Sequence, residues 1–250
     1  MPDLSHPYAP IRHPHRVAVD RKIQLNADQV EALRFRQIRP SEAFTVQSPE
    51  GKFFRASLLT MGDRGGEALV YEEMAASPES PLVLTLICAV LARQRMLLVI
   101  PKATELGVMR IQPVITAHSV QAEGLEHEKA HAWQNAAIRA TRQCRRGSVP
   151  EVRPTIPLAE ALEAEPWLTA GARFYLDDRA DGVTPPTRRL KAACLAVGPE
   201  GGWSDEEREL LQQSGAAPLT LGGRVLRAET AAITGTFLIQ YLYGDLRPGR

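Results

Sequence analysis

No apolar run in this 250-residue chain approaches the roughly 18 residues that a membrane-spanning helix needs. The opening stretch MPDLSHPYAPIRHPHR has no apolar core of a secretory signal, and reads as an irregular lead segment rich in proline and histidine. Cysteine is scarce: Cys88, Cys144 and Cys194 are an odd set with no C-x-x-C spacing, which argues against a disulfide framework. Two of them lie inside the apolar runs LTLICAVL and AACLAV, the setting of small buried thiols. A cytoplasmic compartment is expected from this usage. An excess of one charge is lacking too. With 30 Lys and Arg against 29 Asp and Glu the formal net charge is +1. That excludes a surface coated throughout for polyanions and leaves local patches as the route to nucleic acid. Neither G-x-G-x-x-G nor G-x-x-x-x-G-K-[ST] occurs, so the dinucleotide and P-loop fingerprints are absent. The six histidines show no metal spacing. His127 and His131 fall four apart on an expected helix without a third ligand, and no metal is expected.

Composition is that of a globular protein, with 44% hydrophobic and 24% charged residues. Residues 17 to about 74 hold β-leaning runs, AFTVQ, KFFRASLL and EALVYEEM, separated by the turn clusters SPEGK and MGDRGGE. NADQVEAL reads as one short helix capped by Asn26. The two prolines of SPESP mark a boundary, which divides the chain into domains 1–78 and 79–250.

Beyond it the pattern alternates. LVLTLICAV, MRIQPVIT, ARFYLDD, AACLAVG and APLTLG are strand candidates. RMLLVIPKATELG, the long GLEHEKAHAWQNAAIRATRQCRR, SDEERELLQQSG and ETAAITGTFLIQYLYG are helix candidates. Ser204 and Glu207 have capping-box spacing, and Gly215 closes that helix. Alternation of this kind predicts an α/β fold, a mostly parallel sheet flanked by helices.

Two glycine-containing loops carry the chemical signal. Each leaves a strand and enters a helix: Ala196-Val-Gly-Pro-Glu-Gly-Gly-Trp-Ser204, and Leu221-Gly-Gly-Arg-Val-Leu-Arg-Ala-Glu-Thr-Ala231. Glycines there let backbone approach a ligand, and open α/β sheets bind ligands at the carboxyl ends of their strands. Residue types alone stop at a nucleotide-like ligand.

LAVGPEGGWSDEERELL and LGGRVLRAETAAI, with PKATELGVMRIQPVITAHSV and RQCRRGSVPEV upstream, resemble in order four signatures of the bacterial small-subunit ribosomal RNA uracil-N3 methyltransferases, the RsmE family of the SPOUT superfamily. The match runs from about residue 82 to 243. The first domain matches in layout, GKFFRASLL resembling one strand of the family's small PUA-like β-barrel. Departures are Val30 and Glu31 where paired histidines are usual, Pro101 for glutamine, His118 for arginine and Arg142 for glutamate.

The resemblance implies a trefoil-knotted carboxyl-terminal domain, a homodimer, S-adenosyl-L-methionine as cofactor, and small-subunit ribosomal RNA or the assembled small subunit as partner. Carried over, the cofactor would be held by Val197, Gly198, Pro199, Glu200, Gly201, Gly202, Leu221, Gly222, Val225, Leu226 and Thr230. Loss of the uracil N3 proton puts charge on the neighbouring carbonyls, which a guanidinium would stabilise. Arg227 is the first catalytic candidate and Arg224 the second, with salt bridges to Glu229 or Glu200 as the structural alternative. Glu200 could orient a loop amide, take a proton, or simply hold the loop. Glu229 suits the start of the last helix without any catalytic role.

Basic residues concentrate in residues 1–60, nine Lys/Arg against six Asp/Glu, and in 139–153, five Arg against Glu151. Charge runs are usually solvated faces. In a charge-balanced chain they are also candidates for phosphate contact, and the RNA-binding set is Arg34, Arg36, Arg39, Arg142, Arg145 and Arg146. Competing readings are another SPOUT methyltransferase acting on transfer RNA or a different ribosomal base, and a non-catalytic RNA-binding or ribosome-assembly factor.

Overall fold

The computed structural model describes residues 6–180 and 189–247. They form two compact units, each with its own core.

The first unit comprises residues up to Glu79 together with Ile138–Pro150. Its strands are β1 (Ile11–Arg12), β2 (Lys22–Leu25), β3 (Ala43–Gln47), β4 (Phe53–Met61) and β5 (Gly66–Glu73), with helix α1 (Ala27–Phe35) between β2 and β3. The sheet order is β1-β3-β4-β5-β2. β1 pairs parallel to β3, and the other pairings are antiparallel. The expected lead segment is therefore partly ordered: Ile11 pairs opposite Val46 and is buried. Its two-residue strand was too short to carry a periodic signal. At the start of α1, Asn26 accepts from the Gln29 amide while the Gln29 side chain accepts from the Asn26 amide, a reciprocal cap. Val30, Leu33, Val46, Ala56, Leu58 and Val70 are wholly inaccessible and form the centre of this core.

The second unit comprises Ser80–Ala137 and the chain from Glu151 onward. In order it holds β6 (Val83–Ala89), α2 (Arg93–Glu105), β7 (Arg110–Ile115), and the start of α3 (Trp133–Gln143). There follow β8 (Glu151–Val152), β9 (Ile156–Pro157), α4 (Leu158–Glu163), α5 (Glu165–Leu168) and β10 (Ala172–Leu176). Last come β11 (Ala192–Val197), α6 (Asp205–Gln213), β12 (Ala217–Leu219) and α7 (Ala228–Tyr243). The strand order is β12-β10-β11-β6-β7-β8, with β9 also on β7, and every pairing is parallel. Central strands β6 and β11 are buried along nearly their whole length, as strands covered on both faces must be. The expected mostly parallel sheet flanked by helices is present.

The expected helix over 124–146 is shorter. Only Trp133–Gln143 is α-helical, preceded by single turns at Ala122–Gly124 and Ala130–Ala132. Lys129 at φ 54° interrupts the run, so His127 and His131 do not share one helix face. The segment GLEHEK offers few apolar positions at helical spacing, and little packing holds it helical. At the other end Arg145, at φ 63°, turns the chain out of α3 and carries Arg146 inward.

Two residues of the expected RNA-binding set are buried in the first unit, which corrects that reading for both. Arg146 pairs with Glu79 through Nη2 at 2.9 Å and Nε at 3.2 Å, with both side chains 3% exposed. Glu79 also accepts from the amides of Gly147 at 2.8 Å and Ser148 at 2.9 Å and from the Ser148 hydroxyl. Arg36 donates to the carbonyls of Ala9 at 2.6 Å and Gly147 at 3.1 Å, and burial lowers its pKa to about 10. Composition marked both as charged; it could not show that Arg146 has a buried carboxylate waiting 67 residues upstream.

Candidate active site

Because the strands run parallel, the segments leaving β10, β11 and β12 emerge at one edge of the sheet. They enclose a cleft lined by 176–179, 197–203, 219–222, 224–226, Ala228 and Ala231, with Arg208 of the helix after β11. Each wall is fixed locally. Trp203, almost fully buried, donates from Nε1 to the Leu176 carbonyl at 2.9 Å and so ties the loop after β11 to the end of β10. A Cβ on Gly198 would stand 3.0–3.3 Å from that indole, and one on Gly201 would stand 2.8 Å from His118 Cβ. Gly202 has φ +71°, which few side chains tolerate. The loop then enters α6 through the expected capping box, Ser204 with Glu207. Glu207 also accepts from the Ala117 amide at 2.7 Å, and His118 Nδ1 lies 3.1 Å from the Gly202 carbonyl, so the chain after β7 is bound to the same loop.

The wall from β12 is more open. Gly222, at φ +100°, and Gly223 have no heavy atom within 4 Å of where a Cβ would stand, and Val225 is 82% exposed.

The fold brings most of the expected cofactor residues together. Val197, Gly198, Pro199, Glu200, Gly201 and Gly202 line the cleft from one side, and Leu221, Gly222, Val225 and Leu226 from the other. Thr230 does not line it; it is exposed in the first turns of α7. Arg224 lines the cleft, whereas Arg227 stands just outside the lining as the N-cap residue of α7. The Arg227 side chain is exposed and makes no ion pair among the described residues. The alternative pairing with Glu200 or Glu229 is not formed. Arg95 of α2 takes both carboxylates instead, Nη1 to Glu200 Oε2 at 2.6 Å and Nε to Glu229 Oε2 at 3.6 Å.

Sequence reasoning missed the contribution of β10. Asp177, Asp178 and Arg179 line the cleft, as does Arg208 of α6. Asp177 is buried and holds Arg208 Nε at 2.9 Å and the Arg179 amide at 3.0 Å. Its signal was available: LDDR directly follows an apolar strand, at the edge where ligands of parallel sheets bind. The cysteines play no part. Burial pushes the thiols of Cys88 and Cys194 up to about 12, far from a reactive thiolate. Among the described residues no group of three or more His, Cys, Asp or Glu is placed to hold a metal ion. None of the described helices is long and apolar enough to cross a membrane.

On the first unit, the remaining arginines of the expected RNA-binding set reach the surface. Arg34 pairs with exposed Asp63 at 2.9 Å. Arg142 pairs with Glu42 at 2.6 Å, and Arg145 stands 3.7 Å from Glu72. Arg39 is exposed, its amide donating to Glu42 at 2.7 Å. That hydrogen bond and Arg142 hold the Glu42 carboxyl below its usual range.

Residues 78–240 match a family described as an RNA methyltransferase domain. Among curated relatives, the ribosomal RNA small subunit methyltransferase E of Aquifex aeolicus is 29% identical over 214 residues, 84% of this chain and 90% of that protein. Its counterpart in Mycobacterium bovis is 30% identical over 207 residues, 80% of this chain and 79% of that protein. Among solved structures, that of a ribosomal RNA small subunit methyltransferase E from Neisseria gonorrhoeae bound to S-adenosyl methionine superposes with a TM-score of 0.68 at 32% identity, covering 95% of this chain and 99% of that one. A methyltransferase of Legionella pneumophila in complex with the same cofactor superposes with a TM-score of 0.67 at 31% identity, covering 94% and 98%. The chain belongs to the ribosomal RNA small subunit methyltransferase E family.

Proposed function

We propose that the protein moves the methyl group of S-adenosyl-L-methionine to N3 of one uridine in small-subunit ribosomal RNA, working in the cytoplasm. The observation that carries this is the meeting of both glycine loops in one cleft at the carboxyl edge of a parallel sheet. The relatives are named for methylating small-subunit ribosomal RNA, and the Neisseria gonorrhoeae structure holds the cofactor. When bound, the cofactor would supply a methyl cation equivalent, its sulfonium becoming the thioether of S-adenosylhomocysteine as the methyl joins N3 and the N3 proton passes to water. The loop backbones at 198–202 and 221–226 would read the adenosyl portion by close approach, for which Gly222 on the cleft wall leaves open space. As N3 loses its proton, negative charge moves onto the flanking carbonyl oxygens. Arg227 or Arg224 would stabilise it there; Arg227 has its guanidinium unpaired among the described residues and Arg224 stands on the cleft wall.

Three further features belong to this reading. The first unit is taken as a PUA-like barrel, supported by its five-stranded sheet and single helix. The second is taken as a SPOUT trefoil knot, supported by α7, which returns from the β12 edge to pack on α2, β6 and β11. A homodimer is supported by α7 leaving Phe237 47% exposed beside α2, which leaves Leu98 43% exposed. RNA contact falls to exposed Arg34, Arg39 and Arg145 and to partly exposed Arg142.

The test is methylation of unmethylated small ribosomal subunits by the purified protein, with the product base mapped by mass. A uridine carrying the methyl at N3 is expected. Methylation of transfer RNA with small subunits left untouched would overturn the substrate, and absence of cofactor binding would overturn the enzyme.

A further inference from the structure

Arg95 lies in the first turn of α2, where the partial positive charge of a helix amino terminus disfavours cations. That turn carries Arg93 and Arg95, no acidic residue, and no side-chain cap from Ala92. A residue set against its local field needs partners elsewhere, and Arg95 has two. Glu200, at 2.6 Å, belongs to the cleft wall that follows β11. Glu229, at 3.6 Å, follows directly on Ala228, which lines the wall that follows β12. Glu229 Oε2 is buried without a hydrogen bond among the described residues, and Arg95 is its charge compensation there. A guanidinium can serve two carboxylates at once through separate nitrogens.

We propose that Arg95 is a positioning residue for the cofactor: by tying Glu200 to Glu229 it sets the separation of the two glycine-loop walls. The proposal rests on reading the cleft as the cofactor site. Arg95 itself does not line the cleft. Without it, two like charges face each other and one is buried unpaired. Separation or protonation then relieves them, and either displaces a wall.

The experiment uses the full chain, with calorimetric titration of S-adenosylmethionine and S-adenosylhomocysteine and steady-state methylation of small subunits. Arg95→Met should raise both dissociation constants by about tenfold, the scale on which residues without ligand contact alter binding. KM for the cofactor should rise with them and kcat at saturation should hold. Arg95→Lys, which keeps the charge, should recover most of the affinity. Glu200→Gln should also weaken binding, and Arg95→Met/Glu200→Gln should bind no more weakly than Arg95→Met alone, because both break one linkage. Glu200 is half exposed, so its variant keeps the test alive should Arg95→Met fail to fold. Unchanged affinity in Arg95→Met, an equal loss in Arg95→Lys, or losses that multiply in the double variant would each overturn the proposal. Failure of the unaltered protein to bind either compound would overturn the cofactor-site assignment beneath it, and is distinguished by preceding any substitution.

Discussion

Gly201 has His118 against it so closely that a Cβ would lie 2.8 Å from the histidine's own Cβ. Gly201→Val should therefore displace the loop between β11 and α6, and calorimetry should detect no cofactor binding; retained affinity would mean the pocket is misplaced. Arg146 poses the opposite case, a residue whose charge is internal. Removing it leaves the Glu79 carboxylate buried with only neutral donors, a loss on the order of 3–5 kcal/mol that urea unfolding should show. An Arg146→Ala protein of unchanged stability would refute the buried-pair account. Thiol chemistry gives a simpler check. Cys88 and Cys194 are buried with pKa values raised to about 12, so at neutral pH iodoacetamide should label only Cys144 in the native protein, and all three after denaturation. Labelling of Cys194 in the folded state would contradict its placement. At this scale the glycines were legible, because the need for backbone approach is written in the residue type. The fate of an arginine was not, since its partner is set by tertiary structure.

Helix α6 is the element whose sequence and structure agree most fully. Ser204 and Glu207 form the cap that their spacing announces, and Gly215 follows at φ +81°. Glu207 does more than its helix requires, because one oxygen serves the Ser204 amide and the other the Ala117 amide. Ser204→Ala should accordingly cost about 1 kcal/mol, the usual worth of a cap. Glu207→Ala should in addition free the chain around His118 and raise the KM for cofactor. Equal KM values in the two variants would mean the bond to Ala117 does not shape the cleft. Elements without such punctuation escaped sequence reading. β1, β8 and β9 are two residues long, too brief for alternation. Helices α4 and α5 have no side-chain cap to mark them. The helix expected over 124–146 is cut short for the reverse reason: the Ala, Trp and Ile that share one face lie from 130 onward, and the stretch before them is mostly charged.

On the scale of the whole chain, the layout is discontinuous in a way no composition shift records. The chain divides between Glu79 and Ser80, and Ile138–Pro150 groups with the residues before that point. The carboxylate of Glu79 holds Arg146, Gly147 and Ser148, so the tract RQCRRGSVPEV is partly a structural return segment. That divides the basic tract by burial. Arg146 is internal, whereas Arg142 and Arg145 are surface residues paired with exposed or half-exposed carboxylates. Surface ion pairs of this kind contribute at most about 1 kcal/mol, and phosphates can displace them. Arg142→Ala and Arg145→Ala should therefore leave stability and cofactor affinity almost unchanged. Each should weaken binding to small-subunit ribosomal RNA, and each should lower the slope of log affinity against log salt by about 1. Turnover at saturating RNA should hold for both, in contrast to Arg227→Ala or Arg224→Ala, whichever acts as the uracil loses its proton. On the proposed mechanism that variant should lose turnover with RNA and cofactor affinity intact. Single-turnover methylation measured at several salt concentrations separates the two classes. An unchanged salt slope in the Arg142 and Arg145 variants together would remove this surface from the RNA interface.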